Sequence, residues 1–178
     1  KALAERLQSN PRFAALLTEE NIDLLYKSAP LHDIGKVGIP DSILLKPGSL
    51  TAEEFETMKQ HTTLGLEAIV QAENQCGMRV DFLQFAKQIA YSHHERWDGT
   101  GYPQGLAGDA IPLPARLMAI ADVYDALINK RVYKPPFSHE EAVAIMAAGR
   151  GTQFDPEVLD AFIDIEGVFR TIAARFPA

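Results

Sequence analysis

Cysteine is almost missing from this 178-residue chain, where Cys76 stands alone. One thiol cannot close an intrachain disulfide, so a disulfide scaffold is excluded and a reducing, cytoplasmic setting is expected. Long apolar runs are missing too. No stretch reaches the roughly 18–20 residues that cross a bilayer, and the start lacks a basic segment followed by an apolar run and a cleavage site. No membrane contact by this chain is therefore expected. Positive charge is in short supply: 17 Lys and Arg face 24 Asp and Glu, for a net charge of −7. That balance argues against broad affinity for DNA or an anionic membrane, since both need a basic face that releases counterions. A small anionic substrate stays open, provided cations gather locally. Period-2 alternation of convincing length, internal repeats and low-complexity tracts are also missing, which argues against a sheet and against a solenoid.

What is present is helical periodicity, in a chain 47% hydrophobic and 23% charged that suits one globular domain. The predicted fold class is all-α. Residues 1–8 read as helix with no N-cap residue in front, as though the helix began upstream. A second pattern runs from about Thr18 into "LLYKSAPLHDIGK", where Pro30 predicts a kink and Gly35 a stop. The segment Val37 to Ser49 reads as a loop, either a lid or wall or a packed connector. Thr51 with Glu54 forms a capping-box pattern that predicts a helix to about Ala72. Further helices are predicted from near Val80 to His94, from Pro114 to about Asn129, after Ser138 with Glu141, after Asp155-Pro156, and over 165–175. Residues 95–113 form the longest irregular stretch.

Several ionisable residues sit where the apolar pattern should continue. His32 and Asp33 are adjacent at a helix end, suited to a metal lying across it or simply to solvent. His61 shares a face with Met58, Gly65 and Ala68, which fits a hydrogen-bonded core histidine or a ligand. His93 continues the stripe Phe82, Ala86 and Ile89, while His94 turns about 100° away. A helix C-terminus favours cations, so a dipole partner is the alternative to ligation there. In "RLMAIADVYDALI", Asp122 and Asp125 interrupt a run that is otherwise apolar or aromatic. A buried carboxylate must be paired, hydrogen-bonded or metal-bound, and Arg116 and Lys36 are the pairing alternatives. Taken together, His32, Asp33, His61, His93, His94 and Asp122 are mixed nitrogen and oxygen donors without a thiolate. That set suits iron, manganese or zinc, and six donors exceed the need of one ion. Two ions about 3.5–4 Å apart can clamp a phosphoryl group for in-line attack, which is phosphate-ester hydrolysis.

The segments "LHDIGK", "MKQH", "HHERWDGTGYP" and "IADVYDAL" with "RVYK", in order from about residue 28 to 164, resemble the HD-GYP subgroup of the HD phosphohydrolase superfamily. The resemblance implies one multi-helix bundle over 1–178 with a long irregular GYP loop. It implies hydrolysis of the bacterial second messenger cyclic di-GMP, to the linear dinucleotide pGpG or onward to GMP, with two or three divalent ions, iron or manganese foremost. By the same resemblance His32 and Asp33 are the signature ligands, Asp33 bridging two metals, and His61, His93, His94 and Asp122 complete the set. Asp33 and Lys36 become catalytic, Lys36 by contacting the scissile phosphate and stabilising the leaving oxygen; a surface cation near a helix end is its alternative. Tyr102, Arg131 and Lys134 are expected to hold substrate, and Asp125 to orient a ligand or the lysine. Gly99, Gly101 and Pro103 are expected to shape the loop, Trp97 and Asp98 to anchor it, and His139 to be exposed and no ligand. An upstream receiver or sensory domain is expected, and a homodimer is left open. One departure stands out: the family carries further acidic and histidine ligands upstream of the HD pair, and residues 1–31 hold no histidine. That keeps alive a binding module for cyclic di-GMP or a protein partner, with another HD-type nucleotide phosphohydrolase as a third reading.

Overall fold

Capping chemistry sets most of the helix starts in the computed structural model, which describes residues 1–77, 81–129 and 136–175. After α1 (Ala2–Leu7), Phe13 and Leu17 lead the chain back into the core. α2 (Glu19–Ser28) starts at Thr18, whose hydroxyl accepts from the Asn21 N–H. Pro30 cannot donate to a continuing helix, and the chain tightens into two 3-10 turns, Ala29–Leu31 and Ile34–Gly38. His32 and Asp33 fall between them. Gly35 thus lies inside a turn and does not stop a helix, contrary to the expectation. The segment expected as loop contains one helical turn, α3 (Asp41–Leu44).

α4 (Ala52–Lys59) carries the predicted capping box at Thr51 and Glu54. The helix does not run on to Ala72 unbroken; it is interrupted at Gln60, and α5 (His61–Cys76) opens on the histidine that was expected mid-helix. Side chains explain the break. His61 Nδ1–H and the Thr62 hydroxyl donate to the carbonyls of Met58 and Lys59 at 2.7 and 2.9 Å, competing with the main-chain N–H groups that would use them in a continuous helix. α6 (Asp81–Ser92) and α7 (Leu113–Ile128) follow, the latter with Pro114 in its first turn as predicted. α8 (His139–Ala148) has the expected capping box at Ser138 and Glu141. α9 (Pro156–Asp164) is capped by Asp155, and α10 (Glu166–Arg175) ends the described chain. Among the described residues only isolated bridges, Asp98 with Ala107 and Arg150 with Phe154, stand in for strand pairing. The chain is all-α.

Two apolar cores flank α6. The larger joins α1, α2, α7, α8 and α9 through Leu7, Ile22, Ile120, Met146 and Phe162, with Phe85 and Ile89 contributed by α6. The smaller holds Ile69 of α5 against Leu83, Ala86 and Ala90 on the other side of α6. The histidines after Ser92 therefore emerge at the seam between the cores. α5 also packs on the turn Ile34–Gly38, and there the approach is main chain to main chain. A Cβ added at Gly35 would overlap the backbone of His61 and Gly65, whereas one added at Gly38 meets only the end of the Leu64 side chain, at 2.8 Å. Gly35→Ala is accordingly expected to cost at least the upper end of the roughly 1–3 kcal/mol typical of overpacking, and Gly38→Ala less, since Leu64 can rotate. Chemical denaturation of both variants checks the order.

Candidate metal centre and substrate wall

Four segments bring the candidate ligands to one place. Asp33 Oδ1 lies 3.6 Å from His61 Nε2 and 3.9 Å from His93 Nε2, while Oδ2 lies 3.2 Å from His32 Nε2. His32 Nε2 is in turn 3.8 Å from Asp122 Oδ1, delivered by α7. His61, His93 and His94 each offer a ring nitrogen, all within 4.8 Å of one another, close enough to surround one ion. His61 and His93 are 1% and 2% exposed, so this is an interior cluster rather than a surface one.

Helical geometry orients the rings. Nδ1 of His32, His61 and His93 faces the carbonyls of Ala29, Met58 and Ile89 at 2.9, 2.7 and 3.0 Å, three or four residues back along the chain. Each such bond needs the proton on Nδ1; for His61 and His93 this leaves Nε2 facing the centre as an acceptor, the arrangement of a metal-bound imidazole, whereas His32 Nε2 lies against Asp33 Oδ2. His61 Nε2, His93 Nε2 and Asp33 Oδ1 are buried with no hydrogen-bond partner. An unsatisfied buried polar atom costs about 1–3 kcal/mol. Three acceptors turned on one another without a donor fit a shared cation, which would satisfy all of them together. The cluster can hold a metal ion.

The protonation states agree. Burial, then the neighbouring His32 and His61, pushes His93 down to about 4, and burial, then His93 and His61, pushes His94 down to about 2. Burial lowers His61 as well. All three imidazoles are neutral near pH 7, the form that binds metal. Burial would raise Asp33, but hydrogen bonds from His32 and Lys36 outweigh it and hold the carboxyl well below the usual range. Burial likewise opposes protonation of His32, and its bond to Asp33 raises it nonetheless.

Lys36 Nζ donates to Asp33 Oδ2 at 2.5 Å and stays 40% exposed, so it faces both the carboxylate and solvent. Tyr102 stacks on His94, with ring centroids 4.8 Å apart, and forms a wall beside the cluster. Asp125 is exposed, so the run around Asp122 is not buried on every side as its composition suggested. Arg131 and Lys134 lie outside the described residues. His139 was expected at the surface, but its side chain is 10% exposed, held by the Tyr124 hydroxyl at 2.8 Å and by Glu166. It is not part of the cluster of His61, His93 and His94.

Residues that sequence reasoning passed over hold the loop in place. Glu95, 4% exposed, accepts from the N–H groups of Gln104 and Leu106 at 2.7 and 2.9 Å. This folds 95–106 back on itself, and the Tyr102 N–H reaches the His94 carbonyl at 3.3 Å. Gly101 permits the fold, since a Cβ there would overlap the main chain of His94 to Arg96. The available signal was a carboxylate placed directly before a run of Gly and Pro whose N–H groups have no helix to serve. Asp98 accepts from the Thr100 N–H and hydroxyl, anchoring the turn as expected. The guanidinium groups of Arg12 and Arg116 lie 5.5 and 5.7 Å from the centre of the Trp97 ring. Both arginines pair with Asp155, whose side chain is fully buried, so Arg116 serves neither Asp122 nor Asp125 in the way the pairing alternative required.

The HD domain family matches residues 12–158. A cyclic di-GMP phosphodiesterase of Vibrio cholerae serotype O1 is 60% identical over 99% of this chain and 36% of its own length. The cyclic di-GMP phosphodiesterase response regulator RpfG of Xanthomonas campestris is 46% identical over 89% of this chain and 42% of its own. A 3'3'-cGAMP-specific phosphodiesterase 2 of Vibrio cholerae is 42% identical over 90% of this chain and 30% of its own. The chain thus spans less than half the length of these relatives. The match spans the partly buried His32–Asp33 pair and the loop running from His93 to Pro103, and with these relatives it shows that the chain belongs to the HD domain family, in its HD-GYP group.

Proposed function

We propose that this chain is the catalytic part of a metal-dependent phosphodiesterase that hydrolyses cyclic di-GMP to pGpG or GMP. The observation that carries this is the convergence of partnerless His61 Nε2, His93 Nε2 and Asp33 Oδ1 beside an ammonium group and an aromatic wall. His32, Asp33, His61, His93, His94 and Asp122 would hold two divalent ions, iron or manganese, or three with ligands from elsewhere in the protein. Bound there, such ions neutralise charge on a phosphoryl group and acidify water for attack near neutral pH.

The chain's own groups do the rest. Asp33 stays ionised under the influence of His32 and Lys36, so it presents a full charge between two cations. Lys36 is the described cation nearest the centre and is proposed to neutralise the departing ester oxygen or protonate it. Tyr102, kept neutral by burial and by the Asp122 and Asp33 charges, can donate its O–H to phosphate. Arg131 and Lys134 are proposed to bind the same anion, and Asp125 to orient a group at the rim. RpfG is by name a response regulator. An upstream receiver or sensory domain is proposed here by analogy, in a cytoplasmic protein; among the described residues no helix is long and apolar enough to cross a membrane.

Anaerobic loading with iron or manganese, followed by chromatography of the products from cyclic di-GMP, tests the reading. Absence of turnover with every divalent ion would overturn it. Asp33→Ala is expected to lose bound metal and to lower kcat/KM by more than the 10- to 100-fold typical of outer-sphere changes. Lys36→Met is expected to keep its metal and lose about 100- to 10,000-fold in kcat. The metal-free protein should also respond to pH. His93 and His94 titrate below their unfolded value of about 6.5, so the unfolded chain binds more protons there and their stability contribution is lost as pH falls from about 6.5 toward 4. His32, raised, runs the other way and offsets part of this. Melting curves between pH 7 and 5 should therefore fall, and metal loading should raise Tm more at pH 7.

A further inference from the structure

Beyond Tyr102 the chain displays an aromatic ring that no core requires. Phe55, midway along α4, is 47% exposed, and its ring meets Tyr102 edge-on with centroids 6.2 Å apart. Since Tyr102 stacks on His94, three rings run outward from the candidate metal centre: imidazole, phenol, phenyl. Lys59, one helical turn after Phe55, holds its ammonium 5.6 Å from the centroids of both outer rings. Its side chain is only 26% exposed, so the stem lies along the rings instead of extending into water. The carboxylate of Glu56 sits 2.6 Å from that ammonium but is 68% exposed, so water competes for it and the pair is weak. The ammonium therefore remains available to a ligand at the mouth of the angle between the two rings.

We propose that Phe55 and Tyr102 form the pocket for one guanine of cyclic di-GMP, Phe55 stacking on the base and Lys59 donating to its O6 and N7. The proposal rests on the phosphodiesterase reading, because a phosphate at the His94 end places its nucleoside along this row of rings. Stacking on an aromatic side chain tolerates any base, so Phe55 supplies affinity without choice. Lys59 supplies the choice. Guanine offers two acceptors on one edge, whereas adenine replaces O6 with an amino donor, and an ammonium group has donors only.

The test compares the full chain with Phe55→Ala, Phe55→Tyr and Lys59→Met. It uses steady-state hydrolysis by manganese-loaded protein and calorimetric binding to metal-free protein, each with cyclic di-GMP and cyclic di-AMP. Phe55→Ala is expected to raise KM and Kd about tenfold for both dinucleotides with little change in kcat, and Phe55→Tyr to restore them. Lys59→Met is expected to weaken cyclic di-GMP alone, narrowing the preference over cyclic di-AMP by about tenfold. Metal content should be unchanged throughout. Unaltered KM and Kd in Phe55→Ala overturn the pocket, as does a Lys59→Met variant that weakens both dinucleotides equally, the mark of a phosphate contact. Wild-type protein that binds with these losses but forms no product upholds the pocket and removes the enzymatic reading. Hydrolysis with indifferent variants does the reverse, and failure of the wild type both to bind and to hydrolyse overturns the two together.

Discussion

An ionised carboxylate held among imidazoles whose outer nitrogens are already committed to main-chain carbonyls is the constraint around which this chain is arranged. His61 and His93 cannot relieve Asp33, because their Nδ1 protons point back along their own helices. Lys36 and His32 meet one oxygen, Oδ2, while Oδ1 faces the Nε2 atoms of His61 and His93 and has no hydrogen-bond partner. For that carboxylate to reach the centre, the turn Ile34–Gly38 must lie directly on α5, which is why the side chain at 35 is a hydrogen atom. The break at Gln60 follows from the same demand: His61 has to start a helix for its Nδ1 to bond the carbonyl of Met58 while Nε2 faces inward.

The two apolar cores give this centre its rigidity. α6 is covered on both sides, so His93, four residues after Ile89, inherits a fixed position from each. A second anchor lies at the base of the loop, where Asp155 caps α9 and receives Arg12 and Arg116 with no exposure of its own side chain. Burial of a carboxylate is tolerable there because several donors meet it, an arrangement opposite to that at Asp33. An acidic protein thus spends cations in two ways: the arginines lock structure, while Lys36 and Lys59 stand at the candidate site.

Much of this was readable from the residues. Caps at Thr18, Thr51, Ser138 and Asp155 are local, so their side-chain oxygens announce helix starts without knowledge of the fold. The ligand candidates were visible because polar residues interrupt apolar stripes at 61, 93 and 122. The rest depends on partners distant in sequence. Glu95 acquires meaning only when Gln104 and Leu106 fold back onto it, and His139 reads as exposed until Tyr124 and Glu166 close around it. The interruption at Gln60 was invisible to periodicity, since the apolar pattern continues across it. Asp125 was misjudged for a related reason: composition reports how apolar a helix is, not which of its faces a neighbour covers.

The indole of Trp97, the only tryptophan in the chain, packs near two guanidinium groups at the root of the segment that carries Tyr102. Its optical properties therefore belong to one location and are not an average over the molecule. Because Arg12 comes from the segment after α1 and Arg116 from α7, any shift of either element relative to the loop changes the electric field across the ring. The native emission of this chain thus reports, without any label, whether the wall beside the histidines is seated.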